Sequence, residues 1–338
     1  MVMNSKWVLA SRPTEKLAPE NFELVLEAVP ILGAGEVLVE VQHLVMSPPM
    51  RMALTSGGIS GKPLPLGAVV RGTGLGRVVE SNNPAFAPDD LVLGAIGWQR
   101  YCIADGTRRI PLQKVTPAAG LPATTLLHVM GASGATAWFG MYEYARPKLG
   151  DTLVVSAAAG TVGALVCQLG KQNGARVVGI AGSDRKCAWL TDELGCDGAI
   201  NYKNDDVPTR LRELCPRGID IYFDNVGGEV LDTALAQIAQ GARVVLCGGT
   251  SQYEHDQVWY GPKNYFNLVY KQAEMVGFYI FNFSQRFDEA YRRLGPAFAT
   301  GTLKYVEDLL EGIEQAPAAL LRVLNSENFG TQLVHVAG

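Results

Sequence analysis

The sequence predicts an α/β protein of two domains, a β-rich, barrel-like unit and a doubly wound parallel sheet. Three observations carry this expectation. The chain has 338 residues, more than one ordinary domain holds. Its first third consists of short β-rich runs broken by turn residues, and from about Val129 onward apolar runs alternate with segments of helical period.

In chain order, residues 22–26, 36–45, 75–80, 90–95 and 101–103 read as the strands of the β-rich unit. Strand and helix then alternate: 152–156 with 162–172, 175–180 with 185–194, 199–202 with 207–215, 219–225 with 230–239, and a strand at 243–247. The last portion reads as a helix over 305–315, a second over 317–324 and a terminal strand over 330–335. A closing strand of this kind rejoins the first unit, so the sheet domain is expected at 129–300, inserted between 1–128 and 301–338.

Composition narrows the function classes. Lys and Arg number 29 against 33 Asp and Glu, a net charge of −4, with no basic block, so neither nucleic acid nor an anionic membrane is the expected partner. The uncharged stretches at 115–142 and 152–170 are interrupted by Pro117, Pro122, Gly160 and Gly163 and do not read as membrane spans. Residues 1–15 carry no signal-peptide pattern, and the expected location is cytoplasmic. Six Cys and four His are scattered without CxxC or HExxH spacing, so no metal site is expected and the thiols read as reduced. Small molecules are the expected ligands.

The strand at 152–156 runs through Ala158, Gly160 and Gly163 into a helix, an AxGxxG pattern in the context that gives it meaning. Small residues at the first two positions let backbone N–H groups meet a pyrophosphate at the helix N-terminus, and Gly163 lets that helix pack closely on the strand. The next strand ends in Gly182, Ser183, Asp184, Arg185 and Lys186. A 2′-phosphate needs room and positive charge, which favours NADPH, with Ser183 as donor and Lys186 and Arg185 as ionic partners. The competing reading makes residues 184–186 a solvated first helical turn, with Asp184 in a capping role. Asp224 and Asn225, and one strand later Gly248 and Gly249, lie at strand ends where a nicotinamide ribose would approach; tight turns alone account for these glycines equally well.

These motifs, with Asn201-Tyr202-Lys203, the string from Tyr222 to Gly228, Ser251-Gln252-Tyr253 and Gly97-Trp98-Gln99-Arg100-Tyr101, resemble the zinc-independent medium-chain dehydrogenase/reductases. Within them the chain is similar to the prostaglandin reductase, curcumin reductase and alkenal double-bond reductase branch along nearly its whole length. The resemblance implies a GroES-like domain plus a Rossmann domain, NADPH, a homodimer, and reduction of the carbon–carbon double bond of α,β-unsaturated ketones and aldehydes. It implies cofactor contacts at Gly160, Thr161, Val162, Gly163, Lys186, Tyr202, Asn225, Cys247, Gly248, Gly249, Thr250, Ser251, Tyr253, Phe278, Tyr279, Ile280 and Asn328. Tyr253 matches a tyrosine near the enone carbonyl or the nicotinamide ribose. Two stretches depart from the pattern: Ser47 and Pro49 stand where relatives carry Asp and Tyr, and Gly131-Ala132-Ser133-Gly134 replaces Gly-Met-Pro-Gly.

With no Lewis acid, a hydroxyl or the cofactor ribose must stabilise the negative charge that develops on the carbonyl oxygen. Tyr253 is the expected enolate-side donor or proton relay, with Tyr260, Tyr265 and Tyr279 as competitors. His43, in an alternating strand, reads as a core or edge histidine, and His255 as part of a solvated loop. A quinone reductase of the same superfamily and a non-catalytic NADPH-binding protein are the alternative functions; a zinc alcohol dehydrogenase is rejected for want of its Cys and Gly-His-Glu ligands.

Overall fold

The computed structural model describes residues 3–14, 16–29, 31–55, 62–104, 111–253 and 260–336. Strands β1 (Met3–Leu9) and β2 (Phe22–Ala28) pair antiparallel, with Met3 opposite Ala28 and Leu9 opposite Phe22. There follow β3 (Val37–Val45), the short helix α1 (Met50–Leu54), β4 (Thr73–Ser81), β5 (Leu91–Gly94), β6 (Tyr101–Ala104) and β7 (Gln113–Lys114). Helix α2 (Ala132–Phe139) runs into a π-helical turn at Gly140–Ala145. Strand and helix then alternate through β8 (Thr152–Val155), α3 (Thr161–Gln172), β9 (Arg176–Ala181), α4 (Asp184–Asp192), β10 (Gly198–Asn201), α5 (Val207–Leu214), β11 (Ile219–Asp224), α6 (Gly228–Leu235) and β12 (Ile238–Leu246). Helix α7 (Asn267–Tyr270), β13 (Glu274–Gly277), α8 (Phe287–Ala299), β14 (Glu307–Glu311), α9 (Ala316–Leu324) and β15 (Thr331–His335) complete the described chain.

The chain forms two compact units, the first mainly Met1–His128 and Glu307–Gly338, the second Val129–Gln252 and Gln257–Val306. In the first, seven strands make one sheet in the order β14-β15-β3-β4-β5-β7, with β6 also paired to β3. Alternation along β3 sends Val37, Val39 and Val41 into a core shared with Leu9, Trp98, Leu320 and Val334. His43 stands opposite His335 of β15, and the two rings stack at 4.8 Å. Burial, and then the neighbouring His335, lower the pKa of His43, which is half-buried on a strand paired on both sides and so stands at an interior, not an edge, position of the sheet.

The second unit is a six-stranded, all-parallel sheet in the order β10-β9-β8-β11-β12-β13. The chain winds outward from β8 to β10, returns to β11 beside β8, and winds outward the other way. Residues along β8, β9 and β11 are buried on both faces, as a sheet covered by helices requires, and β12 is buried at Ala242, Val244 and Val245.

The helix expected over 305–315 is not there. That segment holds β14 and a short 3₁₀ turn, Ile313–Gln315. Helix-favouring residues are overruled by long-range pairing: β14 runs parallel to β15, Asp308 binds the Arg322 guanidinium at 2.6 Å and the Phe329 N–H at 3.0 Å, and Glu307 binds Thr124 and His128. Likewise the helix expected over 230–239 stops at Leu235, because Ile238 already begins β12.

Candidate active site

Strands β8 and β11 are neighbours whose connections leave in opposite directions, the switch point at which open parallel sheets bind ligands beyond their C-terminal ends. After β8 the chain turns through Ala157, held at a left-handed φ of 46°, to Gly160, the N-cap of α3. Gly160 offers no side chain to cap the helix, so the first turn presents its N–H groups and positive dipole end. A Cβ on Gly163 would lie 2.4 Å from the Ala157 carbonyl oxygen, so only glycine lets α3 seat against the turn. This cradle suits a pyrophosphate.

One buried carboxylate holds the loops around that cradle. Asp224 ends β11 at 1% exposure. Its Oδ1 accepts from Ser156 Oγ at 3.0 Å, Tyr222 OH at 3.1 Å and Val226 N–H at 3.1 Å, and Gly227 N–H reaches both oxygens at 3.0 Å. Ser156, the residue after β8, accepts in turn from Asn225 N–H at 2.8 Å, and its carbonyl accepts from Asn225 Nδ2 at 2.7 Å. The Asp224 carbonyl accepts from the N–H groups of Cys247 and Gly248, tying in the loop after β12. Burial pushes the Asp224 carboxyl up from its ordinary value, while the Gly227 and Val226 N–H groups and the Ser156 and Tyr222 hydroxyls pull it back. Sequence reading placed Asp224 among residues approaching the ligand; the structure makes it the post to which three ligand loops are fastened.

At the end of β9, a Cβ on Gly182 would meet the Tyr202 ring at 2.9 Å, so glycine here makes room for Tyr202 to lie against the strand end. Ser183 is the N-cap of α4, its oxygen accepting from Lys186 N–H at 3.3 Å, which leaves its hydroxyl proton to donate. Residues 184–186 do form the first helical turn. The two cations are nonetheless unlike: Arg185 is exposed, whereas Lys186 is buried at 9% exposure beside that N-cap. Asp184 accepts from Asn201 Nδ2 at 2.6 Å and is thereby engaged in structure.

Beyond β12, Thr250 N–H and Ser251 N–H bind the carbonyls of Asn225 and Val226, so residues 247–251 run alongside the loop after β11. Burial, and then Asp224, push the Cys247 thiol up to about 12. Phe278 stacks on Tyr144 with ring centroids 5.1 Å apart, so its side chain serves packing and its backbone, with Tyr279 and Ile280, follows the C-terminal end of β13. Asn328 lies in the first unit, its Nδ2 donating to the Gly330 carbonyl. Tyr253 is half-buried; His255 lies outside the described residues. Of its competitors, Tyr260 donates its hydroxyl to Asp232 at 2.6 Å, and Tyr265 is exposed with its ring edge-on to Phe266. Of the departing stretches, Pro49 is the exposed N-cap of α1, and a Cβ on Gly134, which both patterns keep, would fall 1.9 Å from the Val129 carbonyl oxygen.

Residues 5–112 match the family described as the N-terminal domain of oxidoreductase, and residues 161–295 the family described as zinc-binding dehydrogenase. The chain is 38% identical to the NADPH-dependent curcumin reductase of Escherichia coli (strain K12), across 99% of this chain and 97% of that protein. It is 37% identical to the NADP(+)-dependent 2-alkenal reductase of Nicotiana tabacum, across 90% of this chain and 88% of that one. The crystal structure of CurA from Vibrio vulnificus in complex with NADPH superposes with a TM-score of 0.89 over 99% of both chains at 38% identity.

Replacing Asp224 by Ala would strand two hydroxyls and two backbone N–H groups in the interior. Chemical denaturation should show a loss on the order of 3 kcal/mol or more; a loss below about 1 kcal/mol would show that the carboxylate does not hold the loops.

Proposed function

The chain belongs to the medium-chain dehydrogenase/reductases, in the branch of the curcumin and 2-alkenal reductases, and from that premise we propose that it reduces the carbon–carbon double bond of α,β-unsaturated ketones and aldehydes with NADPH. The observation that carries the cofactor is the pairing of a glycine-shaped pyrophosphate cradle at Gly160 and Gly163 with buried Lys186 at the end of β9. NADPH, when bound, supplies the hydride that reaches the β-carbon.

The chain's own residues do the rest. The first-turn N–H groups of α3, from Thr161 and Val162 to Gly163, hold the pyrophosphate. Ser183 and Lys186 hold the 2′-phosphate by a hydroxyl and an ammonium, with Tyr202 flanking them. Asn225, residues 247–251 and the backbone of residues 278–280 serve the nicotinamide half. Tyr253 donates its hydroxyl to the carbonyl oxygen as that oxygen gains negative charge, and the α-carbon then takes a proton.

The reading is zinc-independent. In the first unit His128 is engaged with Glu307 and His335 with Glu311, and among the described residues no three His, Cys, Asp or Glu side chains converge as metal ligands do. A cytoplasmic location accords with six cysteines that carry no disulfide. A homodimer is supported by β13, an edge of the parallel sheet, and by the exposed Tyr265, Phe266, Val269 and Tyr270 that precede it.

With an alkenal or enone as acceptor, NADPH should be oxidised far faster than NADH, and Lys186→Ala should raise KM for NADPH by about tenfold or more while leaving NADH little changed. Equal use of the two cofactors would remove Lys186 from the account. Tyr253→Phe should lower kcat roughly a hundredfold, and an unchanged rate would exclude the phenol. Light scattering should give twice the mass of one chain; a monomer would leave the β13 edge without that role.

A further inference from the structure

We infer that Gln252 is a positioning residue for Tyr253, an inference that rests on the catalytic reading of that tyrosine. Gln252 is buried at 8% exposure, although it directly follows exposed Ser251 in a loop. A buried amide keeps its place only if both its ends are bonded, and here both are. Its Nε2 donates to Ser251 Oγ at 2.8 Å, and its Oε1 accepts from the Tyr260 N–H at 2.7 Å. Each bond continues into the platform beneath. Ser251 Oγ donates to the Val226 carbonyl at 2.7 Å, in the loop that Asp224 fastens. A Cβ on Gly228 would meet Ser251 Oγ at 2.8 Å and Gln252 Nε2 at 3.1 Å, so the start of α6 is cleared of side chains where this amide lies.

Tyr260 is fixed from the far side. Its hydroxyl donates to Asp232 Oδ2 at 2.6 Å, and Asp232 Oδ1 accepts from the N–H groups of Lys263 at 2.7 Å and Asn264 at 3.1 Å. The Lys263 ammonium lies over the Tyr260 ring, 5.0 Å from its centroid. Gln252 and Tyr260 are therefore bonded to each other and to α6. The amide fixes the backbone one residue before Tyr253, and with it the origin from which the phenol reaches the substrate. A hydrogen-bond donor contributes to catalysis only when it stands where charge develops, and a displacement of about 1 Å costs orders of magnitude in rate.

The test is a double-mutant cycle. Gln252→Met preserves volume and removes both bonds; it should lower kcat about tenfold, a fraction of what misplacement by a full ångström costs, with KM for NADPH held within about threefold. Combined with Tyr253→Phe it should fall no further than Tyr253→Phe alone, within about twofold. Gln252→Glu, which keeps an acceptor for the Tyr260 N–H, should recover most of the loss. Tyr260→Phe, which removes only the bond to Asp232, should show the same pattern at about threefold and serves if Gln252→Met does not fold. Effects that multiply in the double variant, or a parent-like kcat for Gln252→Met, would overturn the inference while leaving Tyr253 in place. A parent-like rate for Tyr253→Phe itself would overturn the reading on which it rests.

Discussion

The second unit depends on a carboxylate that has no ion-pair partner among the described residues. Asp224 lies at the end of a central strand, shut away from water, and is solvated instead by two hydroxyls and two backbone N–H groups. Burying a carboxylate without such donors costs many kcal/mol. The donors must therefore stay, and the loops that carry them stay with them. Ser156 fixes the turn after β8, Val226 and Gly227 fix the loop after β11, and the Asp224 carbonyl fixes the loop after β12. Three loops at one switch point are preorganised in this way before any ligand arrives.

On this scaffold the selectivity for phosphate is electrostatic and steric. The proposed pyrophosphate cradle works by subtraction: Gly160 leaves the N-cap without a side chain, and Gly163 lets α3 seat against the Ala157 turn. At the proposed 2′-phosphate end, the Ser183 oxygen is oriented by its capping bond and Lys186 is buried at 9% exposure. On the proposed reading, an ion pair formed at buried Lys186 would be less screened than one at exposed Arg185.

Much of this was legible in the sequence, for physical reasons. A parallel sheet buried on both faces forces continuous apolar runs, so β8, β9 and β11 announce themselves. The glycine turn follows from a steric requirement that few residue types meet. Segment 305–315 was misread because its identity as β14 lies in its partners, Thr331 to His335 and Arg322, and none of these is local. Asp224 and Gln252 were read by position along the chain, Asp224 as a strand-end neighbour of the ligand and Gln252 as part of a motif. What they do is set by which groups surround them once folded, and a linear pattern does not carry that. The Tyr260 hydroxyl was open as a catalytic candidate for the same reason, until Asp232 was found to hold it.

The central claim is that hydride reaches the β-carbon of a conjugated carbonyl while the chain supplies binding and a proton donor. It is tested most directly by turning over a simple enone with NADPH deuterated at the transferable position and locating the label by NMR. The account predicts a saturated ketone with deuterium on the β-carbon and a solvent proton on the α-carbon. An allylic alcohol labelled at the carbonyl carbon, or no labelled product from any enone, would contradict it.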